Sequence, residues 1–80
     1  MDAGKLTFHY DHVGDILYVN LIEPYAGQES DMIDDFVVAR SNPTSGSVEN
    51  LEILFFLERT KEGQDVLVPI TAVLEVNASA

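Results

Sequence analysis

Two histidines and a run of acids are the side chains best suited to chemistry in this chain. His9 and His12 stand three residues apart. On a helix that spacing would set both imidazoles on one face. Here His9 falls in an alternating apolar segment and His12 in the polar stretch that follows, so no joint site results. No cysteine accompanies them, which removes disulfides and thiolate zinc sites together. Serine and threonine are plentiful, but a hydroxyl nucleophile needs a base and a group to orient it. No GxSxG elbow is present, and no GxGxxG or Walker-type glycine pattern offers a phosphate cradle. The residues therefore point to a non-enzymatic protein, with no cofactor and no metal assigned.

The acids carry the stronger signal. Glu29, Asp31, Asp34 and Asp35 crowd one stretch, with Gly27 before them and not among them. The EF-hand order, with alternating acids around a central glycine and a closing glutamate, is absent. Fourteen acids against four bases give a net charge of −10. No Lys or Arg occurs between Lys5 and Arg40, whereas Asp11, Asp15, Glu23 and the four clustered acids all do. Such a surface repels phosphate backbones and anionic lipid headgroups, which argues against nucleic-acid and membrane partners. It attracts a basic protein, and residues 29–35 are the candidate partner-binding acidic loop.

Those residues must be positioned by a small domain. Eighty residues make one domain, spanning 1–80. A chain of this size hides only about 60% of the surface its unfolded form exposes. Domains so small usually need a disulfide, a structural metal or a second subunit. With no cysteine and only two histidines, a homodimer or higher oligomer is the expected support. Residues 1–4 show no basic segment leading into an apolar one, and no run reaches the ~20 apolar residues of a membrane span. The cytoplasm is the expected compartment.

Alternation supplies the elements. Leu6, Phe8 and Tyr10 alternate with Thr7 and His9, and residues 16–22 place Leu17, Val19 and Leu21 on one face. A five-residue polar loop between them, with Gly14 free to take positive φ, predicts a β-hairpin. Tyr10 and Tyr18 are expected to be half-buried packing residues. Pro24 stops the second strand, and residues 25–35 predict a loop pinned by Met32 and Ile33. Residues 36–40 predict a short interior strand, and residues 41–47 a loop. Residues 48–57 begin as a strand and end in a continuously apolar stretch, a buried strand end or the start of a helical turn. Residues 58–63 predict a short helix closed by Gly63, or a loop. Residues 66–76 favour strand by their Val, Ile and Thr content, interrupted by Pro69. Residues 77–80 predict a frayed tail.

Several of these segments together resemble a known family. They are Tyr10-Asp11, Gly14-Asp15-Ile16-Leu17-Tyr18-Val19, Asp34-Asp35-Phe36-Val37-Val38 and Val48-Glu49-Asn50-Leu51-Glu52-Ile53-Leu54. The chain resembles, over about residues 6–57, the short bacterial proteins catalogued as domain of unknown function 2283. Members show a "YD…ADALYI" hairpin, an acidic loop leading into "VIVDYD", and a closing "GIEIL". This chain departs at residues 41–47, where the family has an acidic-glycine turn, and at Asn50, where it has glycine. The family has no assigned activity, so the resemblance transfers no catalytic residue. Some members are encoded beside small toxin-like proteins, which implies an antitoxin-like role.

The expected fold is α+β and β-dominated. It is an antiparallel meander of about four strands, with the C-terminal segment, as short helix or edge strand, packed on one face. The expected core is Leu17, Val19, Leu21, Val38, Leu51, Ile53, Phe55 and Ile70. Three functions compete. The first is an acidic interaction module for a basic partner, antitoxin-like as the resemblance implies. The second is a self-associating structural protein, and the third a small-molecule or divalent-cation binder using residues 29–35.

Overall fold

Alternating apolar residues pair first in the N-terminal hairpin. In the computed structural model, which describes residues 5–77, β1 (Thr7–Asp11) and β2 (Ile16–Asn20) are antiparallel, with Tyr10 opposite Leu17 and Phe8 opposite Val19. The chain continues through β3 (Glu29–Asp34), β4 (Val37–Ser41), β5 (Val48–Leu54) and the short helix α1 (Phe56–Thr60). One antiparallel sheet results, in the order β1-β2-β5-β4-β3. β3, β4 and β5 form a meander, and β5 closes back against β2, so the last strand is the central one.

The β-dominated α+β architecture is as expected, but with five strands rather than four. The additional strand is β3, where the sequence predicts a loop. Pairing carries Leu17 across to Ile53 and Val37, and Val19 across to Leu51 and Ala39. These residues, with Phe8 and Tyr10, make one face apolar. His9, Tyr18, Glu52 and Arg40 occupy the other, where the His9 and Tyr18 rings stack at 6.1 Å. Arg40 Nε lies 2.8 Å from Glu52 Oε2, yet its N–H points off the oxygen and makes no aligned hydrogen bond.

The fully buried apolar core of the described residues is only Val37, Ala39 and Ile53. Of the expected core, Leu17, Val19, Val38, Leu51 and Ile70 are half-buried. Leu21 and Phe55 are exposed. Leu21 lies one residue past β2, where the chain leaves the sheet. Phe55 turns out of β5 at φ 55° and meets Phe36 edge-on at 5.2 Å. Val37, not Val38, faces the core because its ladder partner is Ile53.

The hairpin loop also departs from expectation. Positive φ falls at Asp15, not at Gly14. This turn aims the Asp15 carboxylate at α1: Oδ1 accepts from Leu57 N–H at 2.8 Å and Oδ2 from Glu58 N–H at 3.2 Å. The Asp15 carbonyl accepts from Phe56 N–H, so a residue distant in sequence satisfies the free donors of the helix start. The Tyr10 hydroxyl donates to the same Oδ1 at 2.7 Å, and its ring packs against Phe56 at 6.1 Å. The helix therefore sits over the apolar face at its β1–β2 end. Gly63, at φ 82°, closes it by donating to the Thr60 carbonyl.

That capping makes stability pH-dependent. The Tyr10 hydroxyl, and then the Leu57 N–H, hold the Asp15 carboxyl below its ordinary 3.8. A carboxylate depressed in the folded state contributes fully above its unfolded pKa, and the contribution fades as pH falls through the folded value. Asp15→Asn retains the turn geometry and one acceptor but not the charge. It is expected to lower the melting temperature at pH 7, and by progressively less as pH falls below 3.8 and the Asp15 carboxyl of the unmodified protein takes up its proton. Melts of both proteins from pH 7 downward check it; a loss that stays constant as pH falls would contradict it.

Residues 64–77 form no strand. Val66, Val68 and Ile70 turn inward and are half-buried, while Leu67 is 76% exposed, so the two-residue period is real. Pro69 has no N–H, and Ile70 N–H closes a tight turn on the Val68 carbonyl at 2.7 Å. The segment thus lies on the sheet without entering a ladder. The predicted frayed tail falls at residues 77–80, of which 78–80 lie outside the described residues.

Candidate interaction surfaces

The predicted acidic residues are brought together along one edge of the sheet. Among the described residues β3 has β4 on one side and no strand on the other, so Glu29, Ser30, Asp31 and Met32 form an open edge and are all exposed. Ladder partners show which way each side chain leans. Glu29 opposes Ser41, Asp31 opposes Ala39 and Asp34 opposes Val37. A bulge between Met32 and Asp34 adds one residue, which keeps Asp34 on the same side as Asp31. Asp35 follows in the turn, its N–H donating to Asp34 Oδ1 at 2.8 Å.

The bases are engaged elsewhere. Arg40 faces Glu52 and Lys61 bonds Glu58 at 3.0 Å. Arg59 stacks over the Phe36 ring at 5.7 Å and donates to the Asp35 carbonyl, not to a carboxylate. Among the described residues no Lys or Arg pairs with the carboxylates of Glu29, Asp31, Asp34 or Asp35. The edge is therefore a line of uncompensated negative charge beside free backbone donors and acceptors.

The histidines stay apart. His9 stacks on Tyr18, and His12 is exposed in the hairpin loop. Among the described residues no group of three or more His, Cys, Asp or Glu side chains is arranged to hold a metal ion.

Sequence reasoning missed a polar cluster at the end of the sheet where the β2–β3 connection crosses. Asn50 is 2% exposed, and its Nδ2 donates to Asn20 Oδ1 at 2.9 Å and to the Ile22 carbonyl at 2.7 Å. Gln28 Nε2 donates to Asn50 Oδ1 at 2.6 Å and to Glu49 Oε1 at 3.2 Å. The Tyr25 hydroxyl donates to Glu49 Oε1 at 2.7 Å. That bond, with help from Gln28 and Asn42, holds the Glu49 carboxyl below its ordinary 4.5 against the opposing effect of burial. Glu49 is the extra residue where β5 shifts register against β4, which frees its side chain for this role. The only sequence signal was an asparagine inside an otherwise apolar-periodic strand. The cluster fastens the connection to the sheet.

A cleft of about 760 Å³ lies on the apolar face, between Val19, Leu21 and Leu51 of the sheet side and residues 70–75. Comparison with family models, with curated proteins and with solved structures finds no match to this chain. No helix among the described residues is long and apolar enough to cross a membrane.

Proposed function

We propose that this protein is a non-catalytic interaction module, antitoxin-like in character, that takes a basic protein partner on the β3 edge in the cytoplasm. The observation that carries this reading is the coincidence of a strand edge left unpaired on one side with uncompensated carboxylates. An incoming strand satisfies the free backbone groups, and alternate side chains set specificity. Glu29 and Asp31 are two residues apart, so they meet Lys or Arg at alternate positions of that strand. Met32, 64% exposed on the opposite side, offers an apolar contact. The same charges disfavour pairing of two β3 edges, because like charges opposite one another destabilise a ladder.

A short peptide alternating lysine with valine is the probe, and a peptide of the same composition with its lysines in one block is the control. The alternating peptide is expected to bind more tightly. Its affinity should fall at least tenfold as salt rises from roughly 50 mM to 500 mM. Converting Glu29, Asp31, Asp34 and Asp35 to their amides should remove the preference between the peptides. Equal binding of both by the unmodified protein would reject the edge-strand mode.

A further inference from the structure

The sheet has an apolar face that its own chain does not finish covering. Residues 71–76 belong to no strand and are exposed, with Val73 at 83%, Leu74 at 85% and Val76 at 91%. Across the cleft stand Leu6 and Leu21, each 46% exposed. The consequence shows in the dimensions of the molecule. A compact folded chain of 8.8 kDa has an accessible surface of about 4,800 Å². This one exposes 5876 Å², a surplus of roughly 1,100 Å². Its radius of gyration is 13.3 Å, against about 11.6 Å for a compact chain of this length.

We propose that a second copy of this chain covers the face, each copy laying its arm, residues 71–76, into the cleft of the other. The surplus surface is more than the roughly 800 Å² that each partner buries in a standard interface, so a contact of that size fits within it. The chain carries both complementary parts, an apolar arm of strand-like composition and an apolar cleft, so a two-fold arrangement buries both twice. Each copy carries a net charge of −10 and Glu75 on its arm, so the contact forms against a repulsion that high salt screens. The acidic β3 edge is at the far side of the sheet from β1 and β2, and Glu49 at the cleft is turned into its bonds with Tyr25 and Gln28. This self-association is independent of the basic partner, because it uses the face and arm while the partner takes the opposite edge.

Sedimentation of the full chain at high salt, where a charge-driven partner is released, tests the proposal. The protein is expected at twice the 8.8 kDa chain mass at about 50 μM, and Leu74→Asp at the single mass with its far-ultraviolet circular dichroism unchanged. The chain has no cysteine of its own, so a second test is clean even if Leu74→Asp fails to fold. Val73→Cys chains mixed with Leu21→Cys chains should give a mixed crosslinked pair with a short bis-maleimide. A single-chain mass for the unmodified protein, a folded Leu74→Asp protein that remains dimeric, or no mixed pair would each overturn it.

Discussion

Ile53→Ala is expected to lower the unfolding free energy by about 3 kcal/mol. Ile53 is 6% exposed, on the central strand, with Leu17 opposite it on one side and Val37 on the other. The loss combines the transfer energy of the deleted methyl and methylene groups with the cavity they leave. Because Val37, Ala39 and Ile53 are the whole fully buried apolar set of the described residues, no deeper layer compensates. Total stability for a domain of this size is near the low end of about 5–15 kcal/mol, so only about 2 kcal/mol would remain and the urea midpoint should fall by about half or more. Val13→Ala, at a residue 86% exposed, is the control and should change stability by less than about 0.5 kcal/mol. Urea unfolding measures both. A loss below about 1 kcal/mol at Ile53 would show that the core is not where the register places it.

Asn50→Ala is expected to be comparably damaging through a different mechanism. Three groups depend on this side chain: Asn20 Oδ1, the Ile22 carbonyl and Gln28 Nε2. Each buried group left without a partner costs about 1–3 kcal/mol. Part of that is recovered as water enters the half-buried rim, so a net loss of about 3 kcal/mol is expected. Asn50→Asp should fail as well, since one carboxylate oxygen still accepts from Gln28 but the other replaces the Nδ2 donor and faces two acceptors, Asn20 Oδ1 and the Ile22 carbonyl. The damage should be local before it is global. Amide exchange is expected to accelerate first at Leu21, whose N–H reaches the Glu49 carbonyl at 3.0 Å. A fully folded Asn50→Ala protein with unchanged exchange at Leu21 would refute the role of this cluster. The Asn50 amide is thus what ties the β2–β3 connection to the sheet.

Much of the sheet was legible because its strands are half-buried. Leu17, Val19, Leu51 and Ile53 keep a two-residue period, and β1, β2 and β5 follow from it. β3 was not legible, because an edge strand exposed on both faces has no need of apolar alternation, and Glu29, Asp31 and Asp34 read as loop acids. Residues 66–76 erred the other way. Their valines and isoleucine suit a strand, but the segment runs across the apolar face, where it meets side chains and no ladder partner. The acidic site was visible as composition; that it lies along a free sheet edge required the register. Asp15 and Glu49 escaped notice because their partners, Leu57 and Tyr25, are brought to them only by the folded sheet.

The pH limits of the domain come from the same two places. The Tyr10 and Tyr25 hydroxyls donate to carboxylates, which raises both above the ordinary 10.0. Their contribution is complete below that value and is lost as pH rises through the folded-state pKa, the mirror image of Asp15 and Glu49 at the acid end. A plateau in melting temperature between roughly pH 5 and pH 9, falling at both ends, is the expected profile.

The most direct test of the β3 edge as the partner site is nuclear magnetic resonance of the isotopically labelled full chain titrated with the alternating lysine–valine peptide. Amide shifts are predicted to concentrate at Glu29–Asp34 and at the β4 residues behind them, and to shrink as salt is added. Shifts centred on the cleft and residues 71–76, or spread evenly over the acidic surface, would contradict the account.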